Sequence, residues 1–320
     1  MKCCILYNQP RENALPDELD VLDQVEYIDK NLKLLGIETY RKGITADFMN
    51  EIAYISENRP DFIFNLVESI DNKGELVYFV PALLNMYSIP YTGNPVEAIF
   101  ITTSKAIANS TLKKAGITNP EGYSPSEYKK LVPGNRYIIK PIWEDGSLGI
   151  TADSVFTFYP GYEEKLKKYR DSHWFIEDYI DGREFNISVL PGRDGPEVMP
   201  AAEMVFHNYD PGKPKIVDFK AKWEEGTFEY ENTIRNFPVE NLDPVLRERI
   251  ETAAIKCWHV FKLKGYARVD MRVDKNNIPY VLEVNANPCL SPDSGLVAAT
   301  IAAGLPFTDV LERIINDLNR

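Results

Sequence analysis

The 320-residue sequence is poor in the features that mark secreted, membrane-spanning or nucleic-acid-binding chains. Its four cysteines, Cys3, Cys4, Cys257 and Cys289, have no metal-ligand spacing. Adjacent Cys3 and Cys4 face opposite sides of a strand and are not expected to bond to each other. Free thiols imply a cytosolic, and so cytoplasmic, protein. No window approaches the ~18 apolar residues of a membrane span, and the apolar stretch after Met1 is too short for a secretory signal. Positive charge is scarce: 36 Lys and Arg against 48 Asp and Glu leave a net charge of −12. Nucleic acid and anionic membrane, which both need a basic footprint, are thereby excluded as principal partners. An anionic ligand must be held by a local cluster of Lys and Arg. The three histidines, His173, His207 and His259, have no obvious partners. Walker spacing and the Rossmann glycine fingerprint are both missing.

What is present is alternation of strand and helix. "KCCILYN" reads as a strand, followed by a helix from about Pro16 to Leu35, with Leu22, Val25, Ile28 and Leu32 at helical spacing. "DFIFNLV" is nearly all apolar, as in a parallel strand covered on both faces. "GELVYFVPALLNMYSIPYTG" follows as helix, turn and short strand, so the first ninety or so residues predict an open parallel sheet. From about Thr102 the texture changes. A helix around Ser104–Ala115 is expected, then the strands "YIIKP" and "WFIEDYI". A last long helix near Asp243–Lys262 has Asp243 at its cap and Pro244 in its first turn.

That helix leads into "YARVDMRV" and "IPYVLEVN", two alternating segments joined by "DKNN". Pairing Val273 with Ile278 sets Arg268 opposite Glu283, with Asp270 diagonal to it. Ile278, Tyr280, Leu282 and Val284 then form the apolar face, and Asn285 continues the polar one. Asp270, Glu283 and Asn285 are hard oxygen ligands of the kind Mg²⁺ takes, although a solvated face of Arg–carboxylate pairs explains the pattern as well. Lys140 ends "YIIKP", and Gly146-Ser147-Leu148-Gly149 follows in a loop whose backbone N–H groups can turn toward phosphate. An exposed strand end is the plainer reading of Lys140 alone. Glu177 and Ile180 in "WFIEDYI" suit the edge of an adenine ring, and Glu184 suits ribose hydroxyls; a surface turn suits them too. In "DFKAKW", Lys220 and Lys222 are expected on one strand face, as phosphate ligands or as surface lysines.

In this order, the pieces resemble the ATP-grasp superfamily, and most closely its D-alanine–D-alanine ligase branch. The resemblance rests on Lys105 before a helix, Lys140 with "EDGSLG", Glu177–Ile180, Glu184 and Lys222 in "DFKAKW". It rests above all on Arg268-Val269-Asp270 with Glu283-Val284-Asn285-Ala286-Asn287-Pro288. It implies an α/β protein of ATP-grasp fold, in which an N-terminal parallel α/β domain precedes two α+β subdomains that enclose ATP. The expected divisions are 1–98, 99–180 and 181–320. ATP would be bound by Lys105, Lys140, Gly146, Ser147, Glu177, Asp178, Ile180, Glu184 and Lys222. Two Mg²⁺ ions, or Mn²⁺ in their stead, would be held by Asp270, Glu283 and Asn285. The implied reaction is amide or peptide bond formation through an acyl phosphate and a tetrahedral oxyanion, with Arg268, Ser147 and the Cys289 position as catalytic groups. Small amino-acid or peptide substrates are implied, Ser294 being aligned with the site for the second substrate's carboxylate. His207–Gly226 is the expected lid. Relatives in this branch are commonly homodimers.

The departures gather at the first-substrate end. The branch carries a glycine pair, a serine and an amine-holding glutamate after its first strand, where this chain reads "YNQPRENALPDEL"; Glu12 and Glu18 are near by sequence only. Its histidine-glycine segment is replaced by "FNLVESIDNKGE", with Glu68 as the substrate-facing candidate. Cys289 stands where the branch has a glycine whose backbone N–H faces the oxyanion. The expected activity is therefore a ligase of this type with unidentified substrates. The alternatives are a D-alanine–D-alanine ligase with a divergent N-terminal loop and an ATP-binding protein that does not catalyse.

Overall fold

The computed structural model describes residues 1–238 and 241–319. Three sheets succeed one another along the chain. β1 (Lys2–Asn8), β2 (Glu38–Ile44) and β3 (Phe62–Asn65) form a parallel sheet in the order β2-β1-β3. The middle of β1, Cys3 to Leu6, is apolar and buried because both its faces are covered. Cys3 packs with Val25, Ile28 and Leu32 of the helix Pro16–Leu34, and Cys4 packs on the other face with Ile52 and Ile55 of the helix Phe48–Glu57. All four cysteines are free.

The second sheet comprises β4 (Gly122–Tyr123), β5 (Arg136–Pro141), β6 (Val155–Thr157) and β7 (Trp174–Asp178), antiparallel in the order β4-β7-β5-β6. Two helices precede it, Val96–Thr103 and Lys105–Lys114, divided at Ser104. Ser104 caps the second by accepting from the Ile107 N–H at 3.4 Å.

The third sheet holds β8 (Arg183–Gly192), β9 (Gly195–Val198), β10 (Ala202–Phe206), β11 (Thr233–Asn236), β12 (Ala267–Val273) and β13 (Pro279–Asn285). Its main path runs β11-β10-β8-β12-β13, and β9 pairs with β8. The helix Pro244–Val260 lies on this sheet, with Leu246, Ile250, Ala254 and Cys257 against Phe185, Ile187, Val269 and Met271. Among the described residues no single helix is long and apolar enough to cross a membrane.

Two local expectations are corrected. Val273 pairs with Pro279 rather than Ile278, and the register shifts between Asp270 and Met271. This bulge gives β13 an extra residue, so Asp270 stands directly opposite Glu283 and Arg268 opposite Asn285. It also breaks the alternation. Val281 and Val284 carry the core contact, whereas Leu282 turns with Glu283 to line a cleft. The second correction concerns "DFKAKW", which is a short helix, Phe219–Trp223, and not a strand. Asp218 caps it by accepting from the Ala221 N–H at 3.0 Å. Lys220 and Lys222 therefore diverge: Lys222 faces the cleft and Lys220 faces solvent.

Candidate active site

All three sheets send residues into one cleft of about 860 Å³. Asn8 and Ile44 come from the C-terminal ends of β1 and β2, where open parallel sheets leave room for ligands. Lys140 and Glu177 come from the second sheet, and Glu184, Arg268, Asp270, Glu283 and Asn285 from the third. No histidine lines the cleft among the described residues.

The carboxylate pair is held from several sides. Arg268 grips Asp270 with two bonds of 2.7 Å, and Asn186 on β8 donates to the same carboxylate at 2.9 Å. Burial by itself would lower the Arg268 pKa; the Asp270 carboxylate more than offsets that and drives it upward, so this guanidinium stays charged. Asn285 Oδ1 accepts from the Asn287 N–H at 2.8 Å, and Asn287 donates to Val67 O at 3.0 Å, which pins the end of β13 to the first sheet. Glu283 makes no hydrogen bond or ion pair among the described residues. Lys222 likewise has none, and burial, then the nearby Arg268, pushes its pKa down.

At the other end of the cleft, Lys140 and Glu177 form a buried ion pair between β5 and β7. Lys105 reaches the loop beyond β5, donating to Glu144 O and, at 3.4 Å, to Asp145. Asp178 is held by its N–H to Glu121 O at 3.0 Å, and burial raises its carboxyl pKa. Glu184 is bound by Arg272 through bonds of 3.0 and 2.8 Å, both to Oε2.

The glycine-serine loop is shaped by positive φ at Gly146 (+65°), Ser147 (+65°) and Gly149 (+74°). Ser147 is the one side chain among these that strains to adopt that conformation. Residues 207–226 fold over this loop: Ser147 donates to Val217 O at 2.7 Å, and Trp223 Nε1 donates to Gly146 O at 2.9 Å. The segment expected to be a lid is docked on the loop.

The first-substrate end differs from the sequence reading. Glu18 has both oxygens engaged, by the Leu15 N–H at 2.9 Å and by Asn72 at 2.7 Å. Glu12 does not line the cleft. Asp20, two residues beyond Glu18 on the same helix, lines the cleft as Glu18 does, with Cys289 Sγ donating to it at 2.9 Å. Gln24 bridges Asp20 at 3.3 Å and Glu68 at 3.4 Å, and accepts from the Leu290 N–H at 3.0 Å. Asn8 fixes the Glu68 backbone by accepting from its N–H at 2.8 Å. Glu68 is exposed to the solvent of the cleft, and the loss of part of its water to the surrounding walls pushes its carboxyl up to about 7, opposed by the Gln24 hydrogen bond and aided by Asp20. Burial, then Asp20, also raises the Cys289 thiol far above its ordinary range, so it remains protonated.

Ser294 is buried as the cap of the helix Gly295–Ala302, accepting from the Val297 N–H at 3.3 Å. Beside it is a group the sequence reading missed. Arg235 on β11 donates to Asp293 O at 2.9 Å, and both Arg235 and Arg268 come within about 4 Å of the position a Gly295 side chain would take. Asp20, Gln24, Trp223, Arg235 and Arg272 were all missed, because each enters the site through non-local packing that no local pattern signals.

Two carboxylates and an amide on a hairpin, a glycine-serine loop under the docked segment 207–226, and lysines from one strand and two helices are the kind of arrangement found in ATP-grasp ligases. The sequence profile described as D-ala D-ala ligase C-terminus matches residues 126–316, and the chain belongs to that family. Its members are ATP-dependent carbon–nitrogen ligases. The D-alanine–D-alanine ligase of Pseudothermotoga lettingae is 28% identical over 298 residues, covering 91% of each chain. An uncharacterized protein, y4sG, of Sinorhizobium fredii is 26% identical over 261 residues, covering 81% of this chain and 74% of that protein. Among solved structures, a D-alanine–D-alanine ligase from Bacillus anthracis superposes with a TM-score of 0.71 at 23% identity, over 99% of this chain and 97% of that one. The same enzyme complexed with ATP gives 0.71 at 22% identity, over 99% and 96%. The fold is thus the α/β ATP-grasp fold of this family.

Proposed function

We propose that the protein joins a carboxylate donor to an amine acceptor, both amino-acid-like, by the D-alanine–D-alanine ligase type of chemistry. One observation carries the reading: Lys222 and Glu283, each without a hydrogen bond or ion pair among the described residues, face the same cleft between the lid and the hairpin, where the Lys222 ammonium lies 5.1 Å from the Trp223 ring centre. An ammonium and a carboxylate in one cleft, neither held by an ion pair, suit a triphosphate and a hard cation. The donor set fits Mg²⁺, since Glu283 is free, Asp270 Oδ2 has a single partner and the Asn285 amide oxygen lies beyond them. Asp270, Glu283 and Asn285 would hold the ion, which when bound draws charge from phosphate oxygens.

The remaining work belongs to the chain's own side chains. Lys105, Lys140 and Lys222 hold the phosphates, and Glu177–Ile180 and Glu184 hold the nucleoside. With ATP in this position, the donor carboxylate attacks the γ-phosphorus, the bond to the β–γ bridging oxygen breaks, and an acyl phosphate forms as ADP leaves. The acceptor amine then attacks the acyl carbon, and the tetrahedral adduct loses inorganic phosphate and a proton from nitrogen to leave the amide. Arg268, locked and always charged, faces the tetrahedral oxyanion. The lid excludes water, which would otherwise hydrolyse the acyl phosphate. Divisions at 1–98, 99–180 and 181–320 go with this reading, ATP lying between the last two. Asp20 and Glu68 replace the branch's usual donor-binding residues, so we assign the reaction type and leave the substrate pair open to assay.

The test is phosphate release from Mg·ATP across D- and L-amino acids and dipeptides, with mass detection of products. Turnover with a matching amide product is expected, and Glu283→Gln should abolish it while ATP-free stability stays unchanged. ATP binding without turnover on any pair would favour the non-catalytic alternative.

A further inference from the structure

Arg272 is 3% exposed, and its guanidinium is fixed on every side. It lies directly across the β8–β12 ladder from Glu184. Nε and Nη2 both donate to Glu184 Oε2, at 3.0 and 2.8 Å. Nη1 reaches the carbonyls of Ile180 and Gly182, each at 3.4 Å, and Nη2 also donates to Lys215 O at the base of the lid. Tyr179 and Phe206 flank it, with ring centroids 5.6 and 5.7 Å from the guanidinium carbon. Glu184 Oε1, by contrast, accepts nothing among the described residues, and Glu184 lines the cleft.

We propose that Arg272 is a positioning residue for nucleotide recognition: it locks Glu184 in one orientation, consuming Oε2 and presenting Oε1 to a ribose hydroxyl. The inference rests on the ATP-binding reading above. Burial pushes the Glu184 pKa upward, and the Arg272 guanidinium opposes that shift. Because the guanidinium is itself tied to three backbone carbonyls, Glu184 cannot swing to offer its second oxygen. The sugar is then read by a single acceptor whose position is set by the β8–β12 register, while adenine meets the neighbouring edge at Ile180. Lysine could supply the charge but not the two-bond fork, so the geometry calls for arginine.

The experiment is calorimetric titration of the protein with Mg·ATP, 2′-deoxy-ATP and 3′-deoxy-ATP. The wild type should bind at least one deoxy analogue about tenfold more weakly than ATP, about the worth of one hydrogen bond to a charged acceptor. Arg272→Met should weaken ATP about tenfold and bring all three nucleotides within about twofold of one another, with Arg272→Lys recovering only part of the preference. Glu184→Gln should erase the same preference, and Arg272→Met/Glu184→Gln should be no worse than Glu184→Gln alone. That double variant removes both buried charges together, so it remains informative if Arg272→Met strands a carboxylate and fails to fold. Persisting sugar preference in Arg272→Met, or additive losses in the double variant, would overturn the proposal. A wild type that binds ATP but ignores both deoxy changes would overturn it as well. A wild type that does not bind ATP would instead sink the proposed function.

Discussion

Glu68 has no cation of its own, and the energetic sign of that fact can be worked out. Its folded pKa, about 7, lies above the ordinary 4.5, so the folded state holds the proton more tightly than the unfolded chain does. Below pH 4.5 the group is protonated in both states and contributes nothing. Through the window from 4.5 to 7 stability falls, and above 7 the native state bears whatever penalty attaches to the ionised carboxylate. The cleft admits water, so the penalty is on the order of 1 kcal/mol rather than the full linkage value. Glu68→Gln should therefore raise the melting temperature at pH 8 by about 2 °C, with the gain shrinking toward zero as the pH drops below 4.5. Melting curves of the two proteins across that range check it; a gain that did not vary with pH would trace to packing instead. Cys289 is governed by the same acidic neighbourhood, and its protonated thiol acts as a donor to Asp20 rather than as a nucleophile.

At the scale of elements, the lid and hairpin show where sequence suffices and where it fails. The alternation in "YARVDMRV" and "IPYVLEVN" was enough to read a hairpin and its oxygen-bearing face, because side chains in strands alternate with period two. The bulge was not legible: an extra residue at Leu282 is chosen by how Val281 and Val284 both reach the core beneath, a tertiary demand. "DFKAKW" was read as strand because its apolar and basic residues alternate. The Asp218 cap, a local signal for a helix start, outweighed that period. The Arg272–Glu184 pair joins residues 88 apart in sequence, a distance over which no spacing rule speaks. Trp223 belongs to the lid helix, and its bond to Gly146 O is the lid's direct tie to the glycine-serine loop along with Ser147. Trp223→Phe keeps the ring and deletes that bond, about 1 kcal/mol, so the open lid should become roughly fivefold more populated. Under the proposed mechanism, phosphate released per amide formed should rise accordingly, since water would gain access to the acyl phosphate. An unchanged ratio, with faster cleavage of residues 207–226 by protease also absent, would mean that the lid closes by other contacts.

For the whole molecule, the cleft needs the first sheet held against the third, and beside the apolar cluster they share one buried side chain ties the two together. Asn94, 2% exposed, donates to Tyr266 O at 2.7 Å and to Ala286 O at 2.6 Å, and accepts from the Lys264 N–H at 2.7 Å. It thereby grips the entry to β12, two residues before Arg268, and the turn just after Asn285. Close approach is needed here too: Gly265 has φ +65°, and a side chain on it would meet the Gly93 backbone at 3.0 Å. Removing Asn94 leaves two carbonyls and one N–H buried without partners, so Asn94→Ala should destabilise the protein by about 3 kcal/mol. A cavity would have a similar effect, and Asn94→Asp separates the two causes. Aspartate fills the same volume but turns a lone-pair-bearing oxygen toward two carbonyl oxygens that require a donor. If unmet hydrogen bonds are the cause, Asn94→Asp should be at least as destabilising as Asn94→Ala at pH 8. If lost volume is the cause, it should be clearly milder. Urea midpoints for the three proteins decide between them. Nucleotide affinity should fall alongside stability, because the lock that closes the fold also sets the distance between the carboxylate hairpin and the loop that faces it.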